Sequence, residues 1–153
     1  GSPYQATYKG TITIDAGAVF TTPGGGYTIQ SNNILTNNGT ISGATFRMRG
    51  ATLTNNNLIN PNSFSFDSTT SVAGTGTYNG NLITVGSSGN VSLANDVSFS
   101  PIASFTVTSG GILNPSTHIL TFNSGTFAVN NGGTVSNSGT FRTQGAISLI
   151  IRN

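Results

Sequence analysis

The side chains that could do chemistry in this chain are few and scattered. The acids are Asp15, Asp67 and Asp96, Glu is absent, and His118 is the only histidine. Hydrolysis of a glycosidic bond needs two carboxyl groups roughly 5–9.5 Å apart. Asp15 and Asp67 each follow the second member of an apolar pair, which puts them on one face. At the ladder spacing of stacked strands, three repeats separate them by roughly 14 Å. Asp96 precedes Val97 and belongs to another face. Neither a carboxylate pair nor a calcium cage of about six to eight oxygens is expected. His118 precedes Ile119, which reads as inward, so the imidazole is expected to face solvent. Asp96 stands one repeat away at an unrelated offset, so no orienting acid or nucleophile completes a Ser-His-Asp site. The chain has no cysteine, which excludes disulfides and thiolate metal sites. The expectation is a protein that is not an enzyme, with no catalytic residue, cofactor or metal.

Arg47 and Arg49 flank Met48 and are expected to project from the same face. There they would form a small docking spot for an anionic partner such as a sulfated glycan, lipopolysaccharide or a neighbouring subunit. The plainer alternative is a solvated edge that discourages wrong strand pairing. No aromatic ladder accompanies them, which argues against single-stranded nucleic acid. A pI near 9.4 resting on five basic residues is too thin to imply nucleic acid at all. No run approaches the roughly 18 apolar residues of a membrane span, so membrane insertion is not expected. No signal segment opens the sequence, and any such peptide is expected to have been removed. Only 5% of residues are charged, against about 25% in ordinary soluble domains. Thr, Asn, Gly and Ser fill the polar positions as strand faces and corners.

The elements that position these residues follow from a repeat. Phe105-Thr-Val-Thr-Ser-Gly-Gly-Ile-Leu113 returns 22 residues later as Phe127-Ala-Val-Asn-Asn-Gly-Gly-Thr-Val135. Apolar pairs recur at Ile12/Ile14, Tyr27/Ile29, Phe46/Met48, Phe64/Phe66, Ile83/Val85, Phe105/Val107, Phe127/Val129 and Ile147/Leu149. Their first members are spaced 15, 19, 18, 19, 22, 22 and 20 residues, a period that signals stacked repeats. Six residues beyond the pairs lie Phe20, Leu35, Val72, Val91, Leu113 and Val135. Six further on lie Ile41, Ile59, Tyr78, Val97, Ile119 and Phe141. Successive strand side chains point to opposite faces, so Thr13, Thr28, Arg47, Ser65, Thr84, Thr106, Ala128 and Ser148 are expected outward. Asn38-Gly39, Asn79-Gly80 and Asn131-Gly132 read as corners supplying positive φ. Asn37/Asn38 and Asn55/Asn56 occupy equivalent corner positions, where stacked amides can form a ladder.

Three inward columns separated by polar corners predict an all-β fold, a single parallel β-solenoid of triangular cross-section. About seven to eight coils of about 19–20 residues are expected. The whole of 1–153 is one domain, with an irregular first coil and loop over 1–26, regular coils over 27–145 and a terminal strand over 146–153. No amphipathic cap closes either end, and open strand edges invite pairing. Tyr4, Tyr8 and Ile12 at one end and Ile147, Leu149 and Ile151 at the other are the candidates for head-to-tail stacking on further copies of the chain.

The columned repeats and the N-G-T-I and S-G-T-F corners (Asn38 to Ile41, Ser138 to Phe141) resemble filamentous-haemagglutinin-like repeats and the passenger β-helices of bacterial autotransporter adhesins. The resemblance covers nearly the whole chain. It implies a right-handed coil, a secreted or cell-surface bacterial location, and a fibre, stalk or adhesin role. The expected function is a non-enzymatic extracellular structural protein, a self-stacking subunit of a surface fibre or stalk. The alternative is a segment of a larger bacterial adhesin that binds glycan or a host surface. A third possibility is ice binding, because flat solenoids with outward threonine rows can match ice, but the outward row is broken here by Arg47 and Ala128.

Overall fold

A computed structural model describes residues 10–136 and 138–152. Tyr4 and Tyr8, two of the expected stacking residues, lie outside the described residues. Every described strand pairs in parallel with the strand one coil above or below, and the described residues contain no helix. The fold is a parallel β-solenoid of about seven turns.

Three ladders of strands wind around one core. Face A stacks seven strands: Thr11–Ile14, Ile34–Asn37, Thr52–Asn55, Thr69–Ala73, Asn90–Leu93, Ile112–Asn114 and Thr134–Val135. Face B follows each of these with Val19–Thr22, the first half of Thr40–Met48, the first half of Leu58–Phe66, Thr77–Tyr78, Val97–Phe99, Ile119–Phe122 and Thr140–Thr143. Face C closes the turn with Tyr27–Ile29, the second halves of the two long strands, Leu82–Val85, Ser104–Val107, Gly125–Val129 and Ile147–Ile151. In the two long strands the B–C corner is a bend at Gly43 and Pro61, which lie in register. Gly43 has φ +106°, and a Cβ there would sit 2.5 Å from the Thr22 carbonyl oxygen. At position 43, against Thr22, only glycine fits.

Alternation along each strand sends one side chain inward and the next outward. The enclosed set includes Phe46, Phe64, Phe66, Tyr78, Phe99, Phe105 and Phe122, all at 1% exposure or less. Their rings stack along the axis: Phe64–Tyr78 at 6.0 Å, Tyr78–Phe99 at 4.8 Å and Phe99–Phe122 at 5.8 Å between centroids. Each such pair adds about 0.5–1.5 kcal/mol beyond the apolar area it buries.

Several expected columns are redrawn by the register. Ile12/Ile14 do not head the Tyr27 column. They lie on face A beside Leu35 and Asn37, and Phe20 lies on face B beside Ile41. The interval of 15 residues is thus a step between faces within one coil, too short for a whole turn. Thr13 accordingly belongs to face A. Val72 is level with Leu93, while Val91 is level with Thr70, so the expected Val72–Val91 column is two columns side by side. Tyr78 aligns with Phe99 and Phe122, and Val97 aligns with Leu120 and Phe141. Ile119 is outward and Leu120 is buried, because the ring stack sets the level of the strand. Phe127 and Val129 pair with Leu149 and Ile151, leaving Ile147 level with Gly125 and placing Ile150 where Ser148 was expected. Thr28, expected outward, is buried at 5% exposure.

The corners also differ from expectation. Of the three Asn-Gly steps only Gly132 has positive φ. Gly39 is required for a different reason: a Cβ there would lie 2.3 Å from the Ala18 carbonyl oxygen of the coil below.

Candidate functional site

The expected stacking residues divide between core and surface. Ile12 and Ile147 are partly buried against the core. Leu149 is 58% and Ile151 is 65% exposed. These two continue the inward columns of Phe105/Val107 and Phe127/Val129, yet no described coil covers them. Phe141 likewise continues the Val97–Leu120 column and stacks on Phe122 at 5.1 Å, while 38% of it is exposed. Phe127, Val129, Val135, Phe141, Leu149 and Ile151 line an apolar cleft of about 540 Å³ at this end of the solenoid. Phe141 and Val135 were not anticipated as members. The spacing held the signal: keeping the preceding interval of 22 residues from Phe127 and Val129 lands on Leu149 and Ile151.

The backbone at that end is as open as the side chains. Thr134–Val135, Thr140–Thr143 and Ile147–Ile151 each pair with one strand of the coil before and with no other described strand. A row of free N–H and C=O groups beside an apolar cleft is the arrangement that accepts another strand.

The two arginines separate. Arg47 lies outward on face C between Thr28 and Ser65. Arg49 lies past the strand end, and its Nε approaches Asp67 Oδ2 at 3.8 Å, with the two side chains 43% and 29% exposed. At that exposure the pair is worth less than about 1 kcal/mol. It does occupy Arg49 with an acid of the same chain. Asp67, at the end of face C, and Asp15, past the end of the first strand of face A, do not share a face as expected.

Asp96 and His118 are closer than the sequence suggested. Asp96 Oδ1 accepts the Ile119 N–H at 2.8 Å and lies 3.8 Å from His118 Nδ1. Register explains the approach, since Asp96 precedes Val97 and Val97 is level with Leu120. A shallow depression of about 210 Å³ beside them is lined by Thr75, Ser98, Thr121 and Arg142 among others. The His118–Asp96 distance exceeds hydrogen-bonding range, and among the described residues no hydroxyl is hydrogen-bonded to His118. A Ser-His-Asp relay requires both contacts. Among the described residues no three His, Asp, Glu or Cys side chains gather to hold a metal ion.

The asparagine ladder is present and runs inside the coil. Asn37 and Asn55 are both fully buried and level with each other. Asn37 Nδ2 donates to Asn55 Oδ1 at 2.8 Å and to the Leu58 carbonyl at 3.1 Å, and Asn55 Nδ2 donates to the Thr77 carbonyl at 3.2 Å. Outside them, Asn56 Nδ2 donates to Asn38 Oδ1 at 2.9 Å. The Tyr78 phenol is raised far above its ordinary pKa by burial, which the nearby Asn55 side chain partly offsets. The phenol therefore stays protonated and acts as another ring of the core stack.

Compared with protein families, curated proteins and solved structures, the chain finds no match among any of them.

Proposed function

We propose that this chain is a non-enzymatic, extracellular structural protein, a solenoid subunit that stacks on further copies of itself to build a surface fibre or stalk of the filamentous-haemagglutinin-like kind. The observation that carries the reading is that the coil at Leu149 presents the same columns that each inner coil offers to its neighbour. Its inward columns, its aromatic stack and its strand edges all continue the geometry of the coils beneath it. Covering Leu149, Ile151 and Phe141 with another coil would remove their remaining apolar surface from water, at roughly 25 cal/mol per Å². It would also pair the free backbone groups. A head-to-tail contact of this kind does not close on itself and generates a filament. The paucity of charge favours stacking, because few like charges oppose the approach of two copies. A bacterial secreted or cell-surface location belongs to the same reading and rests on the resemblance of the repeats. The adhesin alternative loses part of its support, since Arg49 already faces Asp67.

Electron microscopy and sedimentation of the purified chain across a wide range of concentrations test the proposal. Rods that lengthen with concentration, and that the Leu149→Lys substitution abolishes without lowering the melting temperature, are the expected result. Single particles at every concentration would refute it.

A further inference from the structure

We propose that face A binds ice, through the threonine-rich part of its outward surface formed by the first three coils. The inference does not depend on end-to-end stacking. The row of outward residues that interrupts such a reading, with Arg47 and Ala128 in it, belongs to face C. Face A is a separate surface, and its outward residues become apparent only once the register is known.

On face A two outward columns run along the axis. One is Thr13, Thr36 and Thr54, and the other is Thr11, Ile34 and Thr52. Thr52 and Thr54 continue to Ser71 and Ala73, and Ser71 to Ser92. None of the seven strands of face A contains a charged residue, whereas face B carries Arg142 and face C carries Arg47 within its strands. The charged residues nearest to it lie outside its strands: Asp15 just past Ile14, Asp96 three residues past Leu93, and the paired Asp67 and Arg49 two and three residues before Thr69 and Thr52. A charged side chain holds liquid water in a radial shell and would break an ordered layer. The β-branched side chains of these columns present methyl and hydroxyl groups, with Ile34 the one member that lacks a hydroxyl.

Strand geometry fixes the mesh of that surface. Neighbours along the axis are about 4.8 Å apart, and alternate residues along one strand are about 6.6–6.8 Å apart. This rectangular net is close to the spacing of water oxygens on a prism face of ice. Threonine is stiff about χ1, so its hydroxyl and methyl are held in place before ice arrives and little freedom is lost on binding. The ligand is therefore an ordered water lattice, recognised by repeat distance and neutrality.

The test measures ice recrystallisation and the retention of purified protein in a slowly growing ice front. Three chains are compared: the unmodified protein, Thr36→Lys at the centre of the threonine patch, and Thr106→Lys at an outward position of face C. The unmodified chain and Thr106→Lys should enter the ice and arrest recrystallisation, and Thr36→Lys should do neither while melting at the same temperature. Should Thr36→Lys fail to fold, Thr52→Lys, at an exposed position, is read in its place by the same criteria. Exclusion of the unmodified chain from ice overturns the proposal, as does full activity in the face A variant or loss of activity in Thr106→Lys alone.

Discussion

The inner coils and the last coil carry the same columns and meet very different surroundings. Phe105 and Phe122 are fully buried, whereas Leu149 and Phe141, which continue their side of the core, are 58% and 38% exposed. Chemistry does not separate them, since all four are large and apolar. What differs is the presence of a coil on the far side. In this architecture each coil is the lid of the one beneath it, and burial is conferred by the neighbour rather than by the residue's own strand.

The contrast can be broken most forcefully in one column, where Phe105, Phe127 and Leu149 lie level. Phe105→Ala should lower stability in urea unfolding by about 3–5 kcal/mol, while Leu149→Ala should cost less than about 1 kcal/mol. Equal costs would mean that the last coil is already covered in solution. A smaller effect separates the inner and outer amide ladders. Asn55→Ala leaves Asn37 Nδ2 and the Thr77 carbonyl short of a partner and should cost about 1–3 kcal/mol. Asn56→Ala, on the exposed side, should cost under about 0.5 kcal/mol. The smallest effect belongs to the half-exposed ion pair. Arg49→Ala should change the urea midpoint by less than about 1 kcal/mol, and the difference should shrink further in high salt.

The solenoid, its approximate period and its alternation were legible in the sequence because one physical rule, apolar inward and polar outward, repeats in every strand. That same rule is why the assignment of columns went partly astray. Ile12/Ile14 and Tyr27/Ile29 look alike as apolar pairs, yet they belong to different faces of one coil. Apolar alternation is identical on all three faces and carries no label for which face a strand joins. Register was settled by contacts between coils, such as the Tyr78–Phe99–Phe122 stack that turns Leu120 rather than Ile119 inward. The Asn37–Asn55 pair was legible because two amides at equivalent offsets can satisfy each other. The approach of Asp96 to His118 was not, since it depends on a level set by aromatic rings elsewhere on the strand. Leu149 and Ile151, expected at the Leu149 end, lie in its exposed apolar cleft, while Phe141 and Val135 were read only as column members.

A rod made of similar tiers faces a problem of identity, because any tier could mistake a more distant one for its proper mate. The enclosed carboxamides of Asn37 and Asn55 act as an index mark against that error. Only these two tiers, brought directly together, let each amide meet its counterpart. A slip by one tier would set Asn37 level with Gly74 or Asn55 level with Ile14, where no amide stands opposite, much as a lone asparagine enforces alignment in a coiled coil. Two side chains thereby tell the chain where its own winding must begin to count.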